Sequence, residues 1–499
     1  MSGIRPSVWF ALAVYLLGMA GPVAAQSTLT EKQIRFLENA GHNHMVGRWN
    51  DLDTNQLVAL RKKVDAYAAD IPKYHQVGGL ILSARFADTN RTRVVRYEEL
   101  QDSGAWTGFY LAGLAYWFAV DRRGETLERI RTTLDGVDRL IQASARPGYL
   151  PAFVGRADDP AYRDFYAVHG GADPKRPGFG KLAFAGDGAN RDLVWLGGAS
   201  RDNTAGLVMG LAMVHKFVRE NRIRSRVSNV VETLIGRLEA DRWRINDGHG
   251  HETFVTPLLG AAILRLGASV NTNRHFREYE ARAAEVVDLP PPVAPRYADL
   301  RPSVFSAASL LTLNALENSK KRGLGYQDKV TRLWRDSGNQ LNPWLAVAFV
   351  NAFDHAPSET LALATLQGVL SSFPQPPRWA GPGDLSGTNG LDLVSANGMV
   401  WSKHALPLAS QGVQAFQWTR ASSSLAPVPA ELVAHPGLDL FTTYWMARDA
   451  GIIPDEADPI TPTRSALRRP QDARRTNATL VLPPSTPIGG KTNIVIPRK

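Results

Sequence analysis

The stretch from Trp106 to Val120 (WTGFYLAGLAYWFAV) is apolar almost all round and carries no charge. A helix of that composition has no face to offer water, so protein must surround it. The next stretch is of the opposite kind. Leu127, Ile130, Leu134, Val137 and Leu140 recur at helical spacing among Glu125, Glu128, Arg129, Arg131 and Asp135, the pattern of a helix with one buried face. The two predict a buried helix over 104–121 and a covering helix over 124–144. The alternation returns along the chain: 204–218 apolar with 224–239 amphipathic, then 254–268 with 273–287, 303–318 with 326–337, and 342–353 with 358–371. Helical stretches near 408–419 and 437–450 close the series, and an early pair at 29–40 and 54–70 opens it. Thr28 with Glu31 makes a capping box at that first start.

About six such pairs predict an all-α chain, with apolar helices forming an inner ring and amphipathic helices an outer one, an (α/α)6 barrel or toroid. One toroidal domain would span 26–460. An internal repeat supports the pairing: Trp106-Thr107 before Gly113-Leu114-Ala115, Asn203-Thr204 before Gly210-Leu211-Ala212, and Glu252-Thr253 before Gly260-Ala261-Ala262. The polar residues suit helix starts, and the small ones let neighbouring helices approach closely. Two long Gly/Pro-rich loops interrupt the pattern, over 145–202 and 374–401, the second with a short strand near 391–401. Loops of that length are generally functional.

The chain of 499 residues has no cysteine, which excludes thiolate nucleophiles, Cys zinc sites and iron–sulfur clusters. Its net charge of +10 is concentrated in a Pro-rich tail, 461–499, where eight Lys and Arg residues face a single acid, Asp472. The body 26–460 is close to neutral, so nucleic acid is not its expected partner. Arg5, the apolar run Val8 to Ala20, and Val23-Ala24-Ala25 have the form of a secretory signal over 1–25. The mature chain is expected to be periplasmic or secreted, with no integral membrane segment.

Three polar constellations sit at expected helix starts. Asp102 precedes Trp106 and Tyr110, an acid beside aromatic rings on one helical face; sugars stack their C–H faces on such rings while carboxylates take their hydroxyls. Asp202, flanked by Arg201 and Asn203, occupies the equivalent start of the next apolar helix, so the two acids are expected at one mouth. Either acid alone would serve as a helix cap; paired, they match the two carboxyl groups that glycosidic cleavage needs. Asp247-Gly248-His249-Gly250-His251-Glu252 is expected to open the third apolar helix. Its two histidines match no zinc spacing, and neither a metal nor another cofactor is expected. Glu252 stands as a reserve acid, His249 and His251 as sugar ligands, and Tyr149 and Trp195 of the long loop as further sugar-lining rings. Asp187, Arg191, Asp192, Asp384, Asp392, the pair Tyr444-Trp445 and the pair His42/His44 are weaker candidates.

The signal-like segment, the helix pairs, and the motifs DSGAWTGFYLAGLAYW and SRDNTAGLVMGLAMVHKF resemble secreted bacterial six-hairpin proteins, the (α/α)6 superfamily of glycoside hydrolases and polysaccharide lyases. The likeness covers roughly 29–450 and is one of fold, without the complete catalytic signature of any one family. It implies a glycan substrate and, in many of its hydrolases, inversion by an Asp or Glu acid and base. The reading is therefore a hydrolase using Asp102 and Asp202. A lyase drawing on Tyr110, His249, His251, Arg201 and Asn203, or a non-catalytic envelope glycan-binding protein, are the alternatives.

Overall fold

The computed structural model describes residues 54–159, 183–186, 190–291, 297–337, 342–352, 360–386 and 391–454. The segment 1–25, the helix at 29–40, His42, His44, Asp187 and the tail from 461 lie outside them. The chain is mostly helical. In chain order the described helices are α1 (Thr54–Asp70), α2 (Ser103–Asp121), α3 (Gly124–Gln142), α4 (Arg201–Phe217), α5 (Asn221–Ala240) and α6 (Pro257–Val270). They continue with α7 (Thr272–Asp288), α8 (Arg301–Leu316), α9 (Lys320–Ser337), α10 (Pro343–Asn351), α11 (Thr360–Ser372) and α12 (Leu438–Asp449).

Burial follows the apolar pattern closely. All of α2 from Ser103 to Trp117 is buried, as are α4 from Asn203 to His215 and every residue of α12. In contrast, α3 hides Ile130, Leu134, Val137 and Ile141 at intervals of three and four while its charged face meets water. The buried helices pack on one another: α2 on α4 and α12, α8 on α4, α6 and α10, and α10 on α12. Each amphipathic helix lies against its preceding buried partner, and α1 packs against α12.

The tightest of these contacts is the crossing of α2 and α4. A Cβ on Gly108 would stand 2.2 Å from the Gly206 carbonyl group, and one on Gly210 would stand 2.4 Å from the Gly108 oxygen. Backbone meets backbone there, and the first turns of both helices are held side by side.

Sheet structure is more extensive than the sequence reading anticipated. A four-stranded antiparallel sheet runs in the order Arg378–Trp379, Val433–His435, Ser83–Phe86, Val94–Glu98, with Ser83 opposite Glu98 and Arg378 opposite His435. A three-stranded sheet, 153–156, 193–196 and 183–185, occupies the first long loop, and the second loop contains the hairpin Leu393–Ala396 with Met399–Ser402.

Two helical expectations are corrected. The segment 247–253 does not open a helix; it is the bend of a hairpin between Arg244–Asn246 and Glu252–Phe254, because Gly248 and Gly250 take left-handed φ values of +79° and +100°. The helix begins only at Pro257, capped by the Thr256 hydroxyl. The segment 408–419 holds two short 3-10 turns, at 408–410 and 417–419, in place of an α-helix. It sends Phe416 and Trp418 into the core.

Candidate active site

The first turns of α2, α4 and α8 meet, and an arginine that the sequence reading passed over joins them. Arg301, the first residue of α8, donates from Nη1 and Nη2 to both carboxylate oxygens of Asp102, at 3.1 and 3.0 Å. The same Nη1 donates to Asp202 Oδ2 at 3.3 Å. Neither carboxylate caps a helix. Asp102 stands at the N-cap position of α2 but its side chain makes no capping hydrogen bond, and the cap of α4 is Ser200, whose hydroxyl accepts from Asn203 N–H. Both carboxylates are thereby left for other work.

Asn203, almost fully buried, locks this arrangement. Its Oδ1 accepts from the Ala105 N–H at 3.0 Å, satisfying an orphan donor of α2, while its Nδ2 donates to the Gln101 carbonyl at 3.0 Å. Replacing Asn203 with Ala removes both hydrogen bonds and takes the acceptor from the buried Ala105 N–H; it is expected to lower unfolding free energy by about 2 kcal/mol, measurable by urea titration, with Asn203→Asp intermediate because it keeps the acceptor.

The guanidinium lies over two rings, 5.9 Å from the centroids of both Trp106 and Phe305. Beneath it Trp106, Phe109, Phe305, Trp344 and Phe416 form one aromatic cluster, Trp106 and Phe416 stacked at 5.4 Å. An apolar floor under a charged rim strengthens every electrostatic interaction above it. Burial raises the Asp202 carboxyl above the usual aspartate range, against the pull of Arg301. Its side chain keeps 31% exposure, so it remains reachable.

Glu99 was also missed. It follows the strand Val94–Glu98 and precedes the turn Leu100–Asp102, whose Asp102 N–H returns to the Glu99 carbonyl at 3.1 Å. Burial, with the negative charge of Asp102, pushes the Glu99 carboxyl up to about 7. The acid run Glu98-Glu99 just ahead of Asp102 was the available signal. For Arg301 it was Pro302, a residue favoured in a first helical turn, which places the start of α8 two residues before the expected 303.

The remaining residues singled out from sequence fall into different places. Tyr149, Trp195, His249 and His251 gather around a second acid, Asp247: the Tyr149 hydroxyl donates to the Gly198 carbonyl, Gly198 N–H donates to Asp247, and His251 Nδ1 donates to Asp247 at 2.7 Å. The His249 ring packs 5.7 Å from Trp195. Asp247 also accepts the backbone N–H groups of His249 and His251, so it ties the hairpin bend together. Glu252 lies exposed on the hairpin, paired with Arg244, and Arg201 is exposed beside Asp202.

The four rings read as sugar-lining are corrected to core positions. Tyr110 is fully buried against Phe441, and Trp106, Tyr149 and Trp195 are each no more than 3% exposed. Asp192 and Asp158 share Arg156, Asp392 pairs with Lys403, Asp384 accepts from Ser386 N–H, and Tyr444 and Trp445 are core residues of α12.

Among the described residues no group of three acids and histidines is placed to hold a metal, and no helix is long and apolar enough to cross a membrane. A groove of about 450 Å³ opens elsewhere, beside α3, lined by Gln76, Glu125, Arg129 and Arg139; none of the clustered carboxylates lines it. In comparisons with known proteins, no family model and no curated sequence matches the chain.

Proposed function

We propose that this chain is a secreted or periplasmic glycoside hydrolase acting on an oligo- or polysaccharide, with Asp102 and Asp202 as its reacting carboxyl pair. One observation carries the reading: two carboxylates from equivalent helix starts, neither used as a cap, share one guanidinium over an apolar floor. The six buried helices, each touching the next and α12 touching α2, support their closure into an (α/α)6 toroid whose mouth this cluster would occupy.

The roles divide by environment. Asp202, raised by burial and partly exposed, is the group to protonate the departing glycosidic oxygen. Asp102, holding both guanidinium nitrogens, is the anionic partner at the anomeric carbon. Because Asp102 Oδ1 and Asp202 Oδ2 sit on the same Nη1 at 3.1 and 3.3 Å, their separation cannot exceed the sum of those two distances. That ceiling holds for one pair of oxygens; it takes in the roughly 5–5.5 Å of retaining carboxyl pairs and reaches to about the 6.5 Å at which inverting ones begin. We take retention through a glycosyl–Asp102 intermediate as the reading to test, against the inversion that the resemblance implied.

The lyase alternative keeps part of its support: of its proposed proton acceptors Tyr110 is fully buried, while His249 is exposed and His251 is oriented through Nδ1 by Asp247. The experiment is to incubate the protein with a panel of bacterial and plant glycans, following reducing ends and ultraviolet absorbance together. Reducing ends without a chromophore are expected; a growing chromophore from unsaturated sugar would replace this reading with elimination.

A further inference from the structure

The side chain of Asp247 has no exposure, and its partners among the described residues are all N–H groups. Oδ1 accepts from the backbone of His249 at 2.8 Å and of His251 at 3.1 Å, which is all that the hairpin bend requires. Oδ2 is spent differently: it accepts from the Gly198 backbone at 3.0 Å and from the His251 ring, whose Nδ1 stands 2.7 Å away. A carboxylate that takes three backbone N–H groups meets the ring as an acceptor too, so Nδ1 carries the proton.

That bond sets the tautomer. In the neutral ring a proton on Nδ1 leaves a lone pair on Nε2. Among the described residues Nε2 has no hydrogen-bond partner, and the His251 side chain keeps 41% exposure. An imidazole free in water exchanges its tautomers; this one is held as an acceptor and offered to solvent. A buried carboxylate is a costly way to orient a ring that does no work.

The bond to Gly198 gives the dyad its place. Gly198 stands four residues before Asp202, so chain geometry keeps the two Cα atoms within about 15 Å of one another. Tyr149 donates to the Gly198 carbonyl at 2.9 Å, so both backbone polar groups of Gly198 are pinned. An oligosaccharide seated between Asp102 and Asp202 spans such a distance. The charge of the dyad then selects the ligand group. With Asp247 already an anion beside the ring, Nε2 suits a group that gives a hydrogen bond and not one that brings negative charge.

We propose that Asp247 and His251 form a sugar-binding subsite beside the Asp102–Asp202 mouth, in which His251 Nε2 accepts a hydrogen bond from a hydroxyl of a neutral sugar ring. His251 is the specificity-determining residue, and Asp247 is the positioning residue that fixes its tautomer. A deoxy or O-methylated ring leaves Nε2 without its donor and binds less well. The choice of a glycan as ligand rests on the hydrolase reading; the fixed tautomer does not.

Long-range proton–nitrogen NMR of the full chain, recorded on the alkaline side of the imidazole titration, tests this. The His251 signals, assigned by their loss in His251→Phe, are expected to show a protonated Nδ1 and a bare Nε2. Cello-, malto-, manno- and chito-oligosaccharides are then added in turn, with inorganic sulfate as the anionic control. At least one of the neutral sugars is expected to move the Nε2 resonance upfield. Asp247→Asn turns an amide N–H toward the ring, and is expected to shift the proton to Nε2 and abolish that response. With a cleaved glycan, His251→Phe keeps the ring shape and the backbone bonds of Asp247. It is expected to lower kcat/KM about tenfold, mainly through KM, with partial recovery in His251→Gln, whose Oε1 can accept the hydroxyl. A mixture of tautomers in the wild type, an Nε2 that ignores every neutral sugar, or one that answers only to sulfate overturns the proposal. If Nε2 responds and no glycan is cleaved, the hydrolase reading fails and the subsite stands. If a glycan is cleaved and His251→Phe keeps the wild-type KM, the subsite fails and the hydrolase reading stands.

Discussion

Asp202→Asn is expected to lower kcat/KM on the cleaved glycan by about 10³-fold, the usual worth of a positioned proton donor, while leaving the unfolding midpoint within roughly 1 °C. The carboxamide has the same shape and still accepts from Arg301 Nη1, so the mouth keeps its geometry while the dissociable proton is lost. Asp102→Asn is expected to cost at least as much turnover. It also removes the only bidentate partner of Arg301 in the cluster, leaving a half-buried guanidinium with reduced compensation, and so costs about 1–3 kcal/mol of stability. The two variants therefore separate by their stability and not by their rates. In Asp102→Gly an added small anion such as azide is expected to restore turnover in part, by attacking the anomeric carbon in place of the missing carboxylate. Turnover in either Asn variant within tenfold of wild type would remove that residue from the reaction.

The second large effect is expected at the crossing of α2 and α4. Gly108→Ala puts a methyl group 2.2 Å from the Gly206 carbonyl group, and Gly210→Ala puts one 2.4 Å from the Gly108 oxygen. Backbone cannot swing aside as a side chain can, so the helices must separate, at about 3 kcal/mol or more per substitution. The separation acts on function as well, because the seam holds the first turns that carry Asp102 and Asp202. Gly236→Ala supplies the contrast: in mid-α5, with no atom within 4 Å of the added carbon, it is expected to stabilise the protein by up to about 1 kcal/mol. The readout is the urea midpoint of each variant beside its activity at matched folded fraction. Gly108→Ala folding with wild-type stability would contradict the packing described here.

These two sets of variants also mark what the sequence could and could not convey. The buried helices were legible because solvent exclusion demands apolar residues on every face, as Trp106 to Val120 shows. The meeting of Asp102 with Asp202 was legible because equivalent helix starts face the same way. The four-stranded sheet was not, since its strands Ser83–Phe86 and Val433–His435 are short and pair across most of the chain. No local period reports a partner so distant.

Other misreadings have particular causes. Asp247-Gly248-His249-Gly250 resembles a polar helix start in composition, but its two left-handed glycines make it a hairpin bend. The stretch 408–419, read as helical, holds two tight turns that place Phe416 against Phe109 in the aromatic cluster and bury Trp418 in the core. Trp106 and Tyr110 do share a helical face, as their spacing implied, but that face is turned into the core. Spacing fixes which residues stand together and leaves open whether water or protein covers them.

The central claim is that the Arg301-bridged pair cleaves glycosidic bonds, and its most direct test is a proton NMR time course of a cleaved glycan, reading the first-formed anomer before mutarotation. The account predicts new reducing-end anomeric signals whose first-formed configuration matches that of the bond broken. A first product of the opposite configuration would contradict the Asp102 nucleophile, and vinylic proton signals would contradict hydrolysis itself.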